Sequence, residues 1–252
     1  MRILQMLLFL MLLGSTQSCK VKEYASDSRP ITHESWDSLL RTHVNDDGWV
    51  DYQGFIADSV RFNNYLDLLS RHHPNNRHWS RAEQMAYWIN VYNAFTVKLI
   101  VDYYPTNSIK DIKSGIPFIN TVWDVKLIKI EGATYDLNNI EHGILRPRYK
   151  DSRIHMVVNC ASVSCPKLYN RAFTADKLDA QLDQAARDFL ADTTRNIITS
   201  ESAQVSKIFQ WYSMDFKSLP DFINQHSPVK INKNTKITYL EYDWNLNEQK
   251  RD

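Results

Sequence analysis

The stretch SRAEQMAYWINVYNAFTVKLIVDYY, residues 80–104, constrains the fold more than any other part of the chain. Ser80 followed by Glu83 is the pattern of a capping box, which begins a helix, and Pro105 marks where that helix stops. Between these signals, apolar side chains occur nearly all round the helix. Because such a helix is normally buried on every side, the sequence predicts a central helix around which the other elements pack.

Two asparagines, Asn90 and Asn93, lie on this predicted buried helix. A buried amide without hydrogen-bond partners destabilises a fold, so both side chains need partners inside the protein. A structural hydrogen-bond network is the favoured interpretation. The alternative is that these amides contribute to a binding site, or orient a catalytic imidazole.

Amphipathic patterns predict further helices on both sides of the central one. They cover residues 32–44, with Thr32 as N-cap, 58–73, 136–149, with Asp136 as cap and Pro147 as breaker, and 174–192. Strands are expected where the period changes to two. Alternation over 125–130 leads into a hairpin turn at Glu131-Gly132, and RIHMVVNC, residues 153–160, has the composition of a strand.

The segments 203–216 and 235–247 are rich in strand-forming and aromatic residues. Helices therefore lead and strands follow, without βαβ alternation, so the predicted class is α+β. The expected architecture is a single domain in which N-terminal helices surround the central buried helix and pack on a mainly antiparallel sheet.

The N-terminus, MRILQMLLFLMLLGSTQSC, has the features of a secretory signal. A cation at Arg2 precedes an apolar stretch that is shorter than the about 20 residues a membrane span needs. Residues 1–18 are therefore predicted to be a signal peptide, 19–30 a tether and 31–248 one globular domain. Two processing routes remain open, lipidation of Cys19 or ordinary cleavage at the same bond. The protein is expected to be exported, either as a membrane-anchored lipoprotein that touches the membrane only through its N-terminal lipid or free in the periplasm.

The charge pattern argues against nucleic-acid binding. The formal net charge is +1, and no long basic run could follow a phosphate backbone. The eight histidines show no ligand-like grouping with the cysteines, so no metal or other cofactor is predicted.

A candidate for chemistry follows the strand-like run, where Cys160 precedes the small residues of ASVSC. A thiol becomes a nucleophile when a nearby imidazole takes its proton and a carboxylate or amide supports that imidazole. Glu141 and His142, upstream, are candidates for the acid and the base. Asn159 and the backbone amides near Ala161 are candidates to hold an oxyanion, and Ser162 is small enough to let a substrate approach. The binding candidates are thus Asn90, Asn93, Asn159 and Ser162.

Two other interpretations of the cysteines stay open. Cys160 follows an apolar run and can equally be a buried core residue. In an oxidising exported compartment, Cys160 and Cys165 can also form a disulfide, although its short loop would constrain the unfolded chain little.

The runs YWINVYNAFTVKLI, IEHGILRPRY, VNCASVSCPKL, SKIFQWYSMDF and ITYLEYDWNLN occur in that order within residues 75–247. As a set they resemble the domain of unknown function 547 family. The resemblance implies an exported or lipid-anchored protein, distantly similar to the papain and transglutaminase-like superfamily, in which a Cys–His pair performs acyl transfer. It places the family's Glu-His pair at Glu141 and His142 and its first cysteine at Cys160, in the reverse order from papain.

Two functions are therefore expected to compete. The first is a thiol-dependent acyl-transfer enzyme or amide hydrolase of the cell envelope that uses Cys160 and His142. The alternative is a non-catalytic binding module of enzyme-like fold, which holds a peptide or small thiol ligand at the membrane surface in a cleft lined by aromatics such as Trp88, Trp211 and Tyr212. A tethered scaffold is a third, weaker interpretation.

Overall fold

The computed structural model describes residues 24–113, 115 and 121–250. The predicted signal peptide and Cys19 lie outside the described residues. Within those ranges, none of the helices combines the length and the apolar character needed to cross a membrane.

Eight α-helices are described, with bounds α1 Glu34–His43, α2 Tyr52–Ala57, α3 Ser59–Ser70, α4 Arg81–Asp102, α5 Arg146–Tyr149, α6 Leu178–Ala191, α7 Ile208–Trp211 and α8 Leu219–His226. A π-helix spans Asn139–Leu145. Short 3-10 helices cover Ile109–Asp111, Val122–Asp124, Ser152–Met156 and Ser213–Asp215. Helix accounts for 47% of the structure, which confirms the mixed α+β class when the small sheets are added.

The central helix is α4, as predicted. Ser80 accepts the backbone N–H of Glu83 while the Glu83 side chain accepts that of Ser80, so the capping box is present. The helix is buried on all sides from Gln84 to Val97, and α2, α3 and the π-helix pack against it. The predicted helices at 58–73 and 174–192 correspond to α3 and α6. At the first helix the Thr32 cap is wrong, because α1 begins after His33, which makes no side-chain cap.

The strands form two small sheets rather than one. β1, Ile128–Ile130, pairs antiparallel with β2, Ala133–Tyr135. The predicted turn between them is confirmed, with left-handed backbone at Glu131 (φ 46°) and Gly132 (φ 86°), the combination that suits a tight hairpin.

The second sheet has the order β3-β4-β5, from Ile197–Ile198, Ser202–Val205 and Lys236–Tyr239. β3 pairs antiparallel with β4, whereas β4 pairs parallel with β5. The mainly antiparallel sheet of the prediction is therefore replaced by a two-stranded hairpin and a separate mixed sheet. Most of the predicted strand at 203–216 is instead helical, as α7 and the following 3-10 turn.

The run RIHMVVNC is not a strand. Its first part is the 3-10 helix Ser152–Met156, and its N-terminus is capped by Asp151. A short apolar run bounded by turns has the same composition whether it forms a buried strand or another buried segment, so periodicity alone cannot separate the two. Here the backbone of the run is satisfied by a side chain of α4, described below, and not by a neighbouring strand.

Pro147 does not break the helix predicted over 136–149. The Asp136 carboxylate accepts the N–H of Asn139 at 2.6 Å, in agreement with its predicted capping role. The chain then passes through the π-helix into α5, whose first turn contains Pro147. Proline is tolerated there because the N–H groups of a first helical turn have no partner within the helix.

The described part of the predicted tether rests on the body of the protein. The Ser28 carbonyl accepts hydrogen bonds from Asn75 and from the indole of Trp79, and Asp27 pairs with Arg77 and His78. These contacts attach the segment ahead of α1 to the loop that precedes α4.

Candidate functional site

Cys160 lies in a cleft of about 390 Å³. The predicted Glu141 and His142 line the same cleft, as do Cys165 and a wall of aromatic side chains. The fold thus brings all three predicted catalytic residues to one surface depression. Asn90, Asn93 and Asn159 do not line it.

The buried asparagines hold the loop that carries the thiol. Asn93 donates to the carbonyl of Val157 at 2.9 Å and accepts the N–H of Asn159 at 2.9 Å. The Asn159 side chain in turn donates to the Pro166 carbonyl and accepts the N–H of Ala161. It therefore ties together the two ends of the Cys160–Cys165 loop.

Asn90 makes the same pair of bonds elsewhere, to the carbonyl and the N–H of Phe173. The amides of Asn90, Asn93 and Asn159 are thus used by backbone groups, in line with the structural-network interpretation. Of the four predicted binding residues, only Ser162 contacts the thiol.

The loop turns sharply after Cys160. Ala161 is fully buried and has left-handed backbone (φ 57°), a conformation that costs a non-glycine residue roughly 1–3 kcal/mol and occurs preferentially at functional sites. The C-terminal segment holds this turn, because Asn247 donates to the Ala161 carbonyl and Asn245 accepts from Val163. The same segment carries Tyr242 to the sulfur.

Three groups contact the Cys160 sulfur. The Ser162 and Tyr242 hydroxyls each lie 3.2 Å away, and the Cys165 sulfur is at 2.8 Å. Burial alone raises the pKa of Cys160, but hydrogen bonds from Cys165, Ser162 and Tyr242 outweigh it, and the pKa is lowered overall. The site therefore favours the thiolate, which is the nucleophilic form.

His142 shares the cleft but does not contact the sulfur. Its side chain is exposed, and its Nδ1 lies 2.8 Å from a guanidinium nitrogen of Arg146. Because arginine only donates, Nδ1 of His142 must accept, so the neutral ring carries its proton on Nε2. Within the described residues, the predicted Cys160–His142 hydrogen bond is not formed.

A second histidine, His155, lines the cleft and was not singled out from the sequence. Its ring is 2% exposed and stacks on Tyr212 at 4.0 Å between centroids. Its Nε2 donates to a carboxylate oxygen of Asp215 at 2.7 Å. Its Nδ1 faces Glu141 Oε1 at 4.0 Å.

Glu141 therefore faces His155 rather than its neighbour His142. It lies in the π-helix, a form of helix that is frequent at functional sites, and its Oε2 accepts from the Tyr92 hydroxyl at 3.1 Å. Glu141 Oε1 and His155 Nδ1 are both buried without a hydrogen-bond partner in the described part of the chain. Two buried polar atoms of this kind are costly unless a proton or a polar ligand group lies between them.

Asp215 holds His155 from the other side. Burial raises the pKa of this carboxyl, but hydrogen bonds from His155 and Arg146 outweigh that effect and leave the pKa well below its usual range. Asp215 is therefore ionised, and it holds both the imidazole and the two-pronged guanidinium of Arg146. The only sequence signal for His155 was a polar side chain within an apolar run. For Asp215, 60 residues away in the chain, there was none.

The predicted backbone oxyanion donors are already used. The N–H groups of Asn159, Cys160 and Ala161 donate to Asn93 Oδ1, Cys165 Sγ and Asn159 Oδ1. The Tyr242 hydroxyl, beside the sulfur, is therefore a better candidate for an oxyanion donor than these amides.

Aromatic side chains form one wall of the cleft. Trp211, 47% exposed, packs against Tyr242 and Trp244 at 4.8 Å and 5.8 Å between ring centroids. Tyr212 lines the cleft as well. Trp88, in contrast, is 1% exposed within the core and takes no part.

Fold and site together define an α+β protein with a half-buried, hydrogen-bonded thiol in an aromatic cleft. No group of His, Cys, Asp and Glu side chains suited to a metal ion occurs among the described residues. The sequence model of the family described as "Protein of unknown function, DUF547" matches residues 76–190, which supports the resemblance on which the motifs were interpreted. That segment contains Glu141, His155 and both site cysteines.

No curated protein matches the chain, and no solved structure matches it either. The expected similarity to papain therefore finds no support among known structures.

Proposed function

We propose that this cleft is a thiol-dependent active site that transfers or hydrolyses acyl groups, with Cys160 as the nucleophile. The observation that carries the proposal is the position of Cys160, whose pKa is lowered by three neighbouring donors in a cleft that also contains an aspartate-held histidine. A nucleophile, a base and a group that orients the base are the requirements for this chemistry.

His155 is the better candidate for the base. With Nε2–H bonded to Asp215, the neutral ring presents Nδ1 as a proton acceptor, and Asp215 and Glu141 would stabilise the imidazolium that forms. The sulfur and this imidazole are not hydrogen-bonded in the described structure. Catalytic hydrogen bonds often tighten only when substrate binds, so the proposal requires that binding bring the two groups together.

The steps follow from these roles. The Cys160 sulfur attacks the carbonyl carbon of an amide or thioester while its proton passes to His155. The tetrahedral oxyanion accepts a hydrogen bond from Tyr242. His155 then returns the proton to the leaving amine or thiol, and water or a second acceptor cleaves the thioester on Cys160.

The test compares the two histidines. We expect iodoacetamide to alkylate Cys160 in the intact protein faster than it alkylates a free cysteine at neutral pH. His155→Ala should slow this alkylation by at least about tenfold, because the base is lost. His142→Ala is the matched control, since His142 shares the cleft but is hydrogen-bonded to Arg146. Peptide mapping separates Cys160 from the other cysteines.

Different outcomes separate the assignments. A loss confined to His142→Ala would restore the base expected from the sequence, whereas equal rates in all three proteins would remove both histidines from the mechanism. Alkylation no faster than that of free cysteine would favour the alternative function, a non-catalytic module that binds a peptide or small thiol ligand. The exposed Trp211 is the observation that supports that alternative, because aromatic side chains supply much of the contact in such sites.

A further inference from the structure

The two site thiols are in contact with each other. Cys160 Sγ and Cys165 Sγ lie 2.8 Å apart, and the Cys160 N–H donates to the Cys165 sulfur at 2.9 Å. Both residues are free cysteines. Since a disulfide needs a separation of about 2.05 Å, the sulfurs need to approach by less than an ångström to form the bond.

The two thiols differ in their surroundings. Cys160 is partly exposed in the cleft and its pKa is lowered, against the effect of burial, by its hydrogen bonds. Cys165 is 2% exposed, and burial followed by the neighbouring Cys160 raises its pKa well above the usual range. One sulfur is thus an accessible nucleophile, and the other is a protonated partner behind it. This division of roles between an attacking and a resolving thiol suits thiol–disulfide exchange.

A purely structural purpose fits this pair poorly. The loop between the two cysteines is short, so a disulfide would remove little conformational freedom from the unfolded chain. The loop is already held by Asn159, which bonds to Ala161 and Pro166. The side-chain contact between the sulfurs therefore adds reactivity more than it adds restraint.

We propose that Cys160 and Cys165 form a redox-active dithiol that exchanges with the disulfide of a small thiol compound or peptide bound in the cleft. The activity goes beyond acyl transfer, because it uses Cys165 and does not need His155. The aromatic wall at Trp211 supplies apolar contact for the groups that flank such a disulfide.

The exchange balances in two steps. The Cys160 thiolate attacks one sulfur of the substrate disulfide, the substrate S–S bond breaks, and one substrate thiolate leaves and is protonated. Cys165 then attacks the Cys160 sulfur of the mixed disulfide, the second substrate thiolate leaves, and it takes up the proton that Cys165 loses. The substrate is reduced to two thiols and the protein is oxidised to the Cys160–Cys165 disulfide.

The experiment uses the full chain and glutathione disulfide as the probe. Because the chain has three cysteines, every protein carries Cys19→Ser so that only the two site thiols react. The otherwise unchanged protein should release two thiols for each glutathione disulfide consumed, lose the mass of two hydrogen atoms and retain no glutathione. Cys165→Ser should release one thiol and retain one glutathione on Cys160. Cys160→Ser should lose all release.

Cys165→Ala, with far-ultraviolet circular dichroism on all variants, guards against misfolding of a single substitution. A stable glutathione adduct on the parent protein, or the same products from the parent and both Cys165 variants, would overturn the dithiol. Failure here alongside fast, His155-dependent alkylation of Cys160 would leave the acyl-transfer proposal standing. Loss of both reactivities would remove both proposals.

Discussion

Cys160 and Cys165 show how position governs the chemistry of one residue type. They are five residues apart, yet hydrogen bonds lower the pKa of the first while burial raises that of the second. The difference comes from which neighbours the loop delivers. Ser162 is close in sequence, whereas Tyr242 arrives from the C-terminal segment.

The lowered pKa of Cys160 predicts the direction of its pH dependence. Thiolate, and with it the alkylation rate, should persist to lower pH than for an ordinary cysteine. Ser162→Ala removes a donor that favours the thiolate, so the pKa should rise, the pH profile of alkylation should move to higher pH and the rate at neutral pH should fall severalfold. Stopped alkylation followed by mass spectrometry across a pH series measures this.

Ser164→Ala is the control for that profile. Its hydroxyl lies on the same loop but accepts the N–H of Asp243 instead of contacting the sulfur. Its profile should match that of the unmodified protein. Coinciding profiles for Ser162→Ala and the unmodified protein would mean that the serine hydroxyl does not tune the thiol.

At the scale of elements, the central helix could be predicted and the segment that carries the thiol could not. The limits of α4 depend on local signals, Ser80, Glu83 and Pro105, that act within a few residues. The run RIHMVVNC has no comparable signal, and its backbone is held by Asn93 from a distant part of the chain. A long-range side-chain clamp of this kind leaves no periodic trace in sequence.

The clamp predicts separable effects on stability and reactivity. Asn93→Ala leaves the Val157 carbonyl and the Asn159 N–H buried without that partner, and should lower the free energy of unfolding by about 2–4 kcal/mol. It should also slow alkylation of Cys160, because the loop loses its anchor. Urea denaturation and the alkylation assay measure the two effects.

Asn90→Ala provides the comparison, since Asn90 makes the equivalent two bonds to Phe173. We expect a similar loss of stability with an unchanged rate of alkylation. Should the two variants alter alkylation to the same extent, general loosening of the fold would explain the effect and Asn93 would have no specific role in positioning the thiol.

At the scale of the whole molecule, the N-terminal segment attaches to the body close to its predicted anchor. Ser28 is bonded to the loop before α4, a short distance along the chain from Cys19. We propose, from the sequence, that the protein is exported and lipidated at Cys19, which would hold the cleft near a membrane surface.

Labelling tests that proposal. In bacterial cells the full chain should incorporate labelled palmitate and sediment with membranes. Cys19→Ser should lose both properties, while Cys160→Ser should keep them. Palmitate incorporation that survives Cys19→Ser, or none in the unmodified chain, would contradict lipidation at Cys19 and favour ordinary signal-peptide cleavage.

The sequence by itself determined the class, the central helix, the hairpin turn and the region of the thiol. These depend on caps, turns and periodic burial, which are interactions between residues close in the chain. Only the tertiary structure decided which groups surround the thiol. It joined His155 to Asp215, turned Glu141 toward His155 and His142 toward Arg146, and set Tyr242 beside Cys160. Each of these contacts depends on how distant segments pack, and a buried charge or hydrogen bond is selected by that three-dimensional environment.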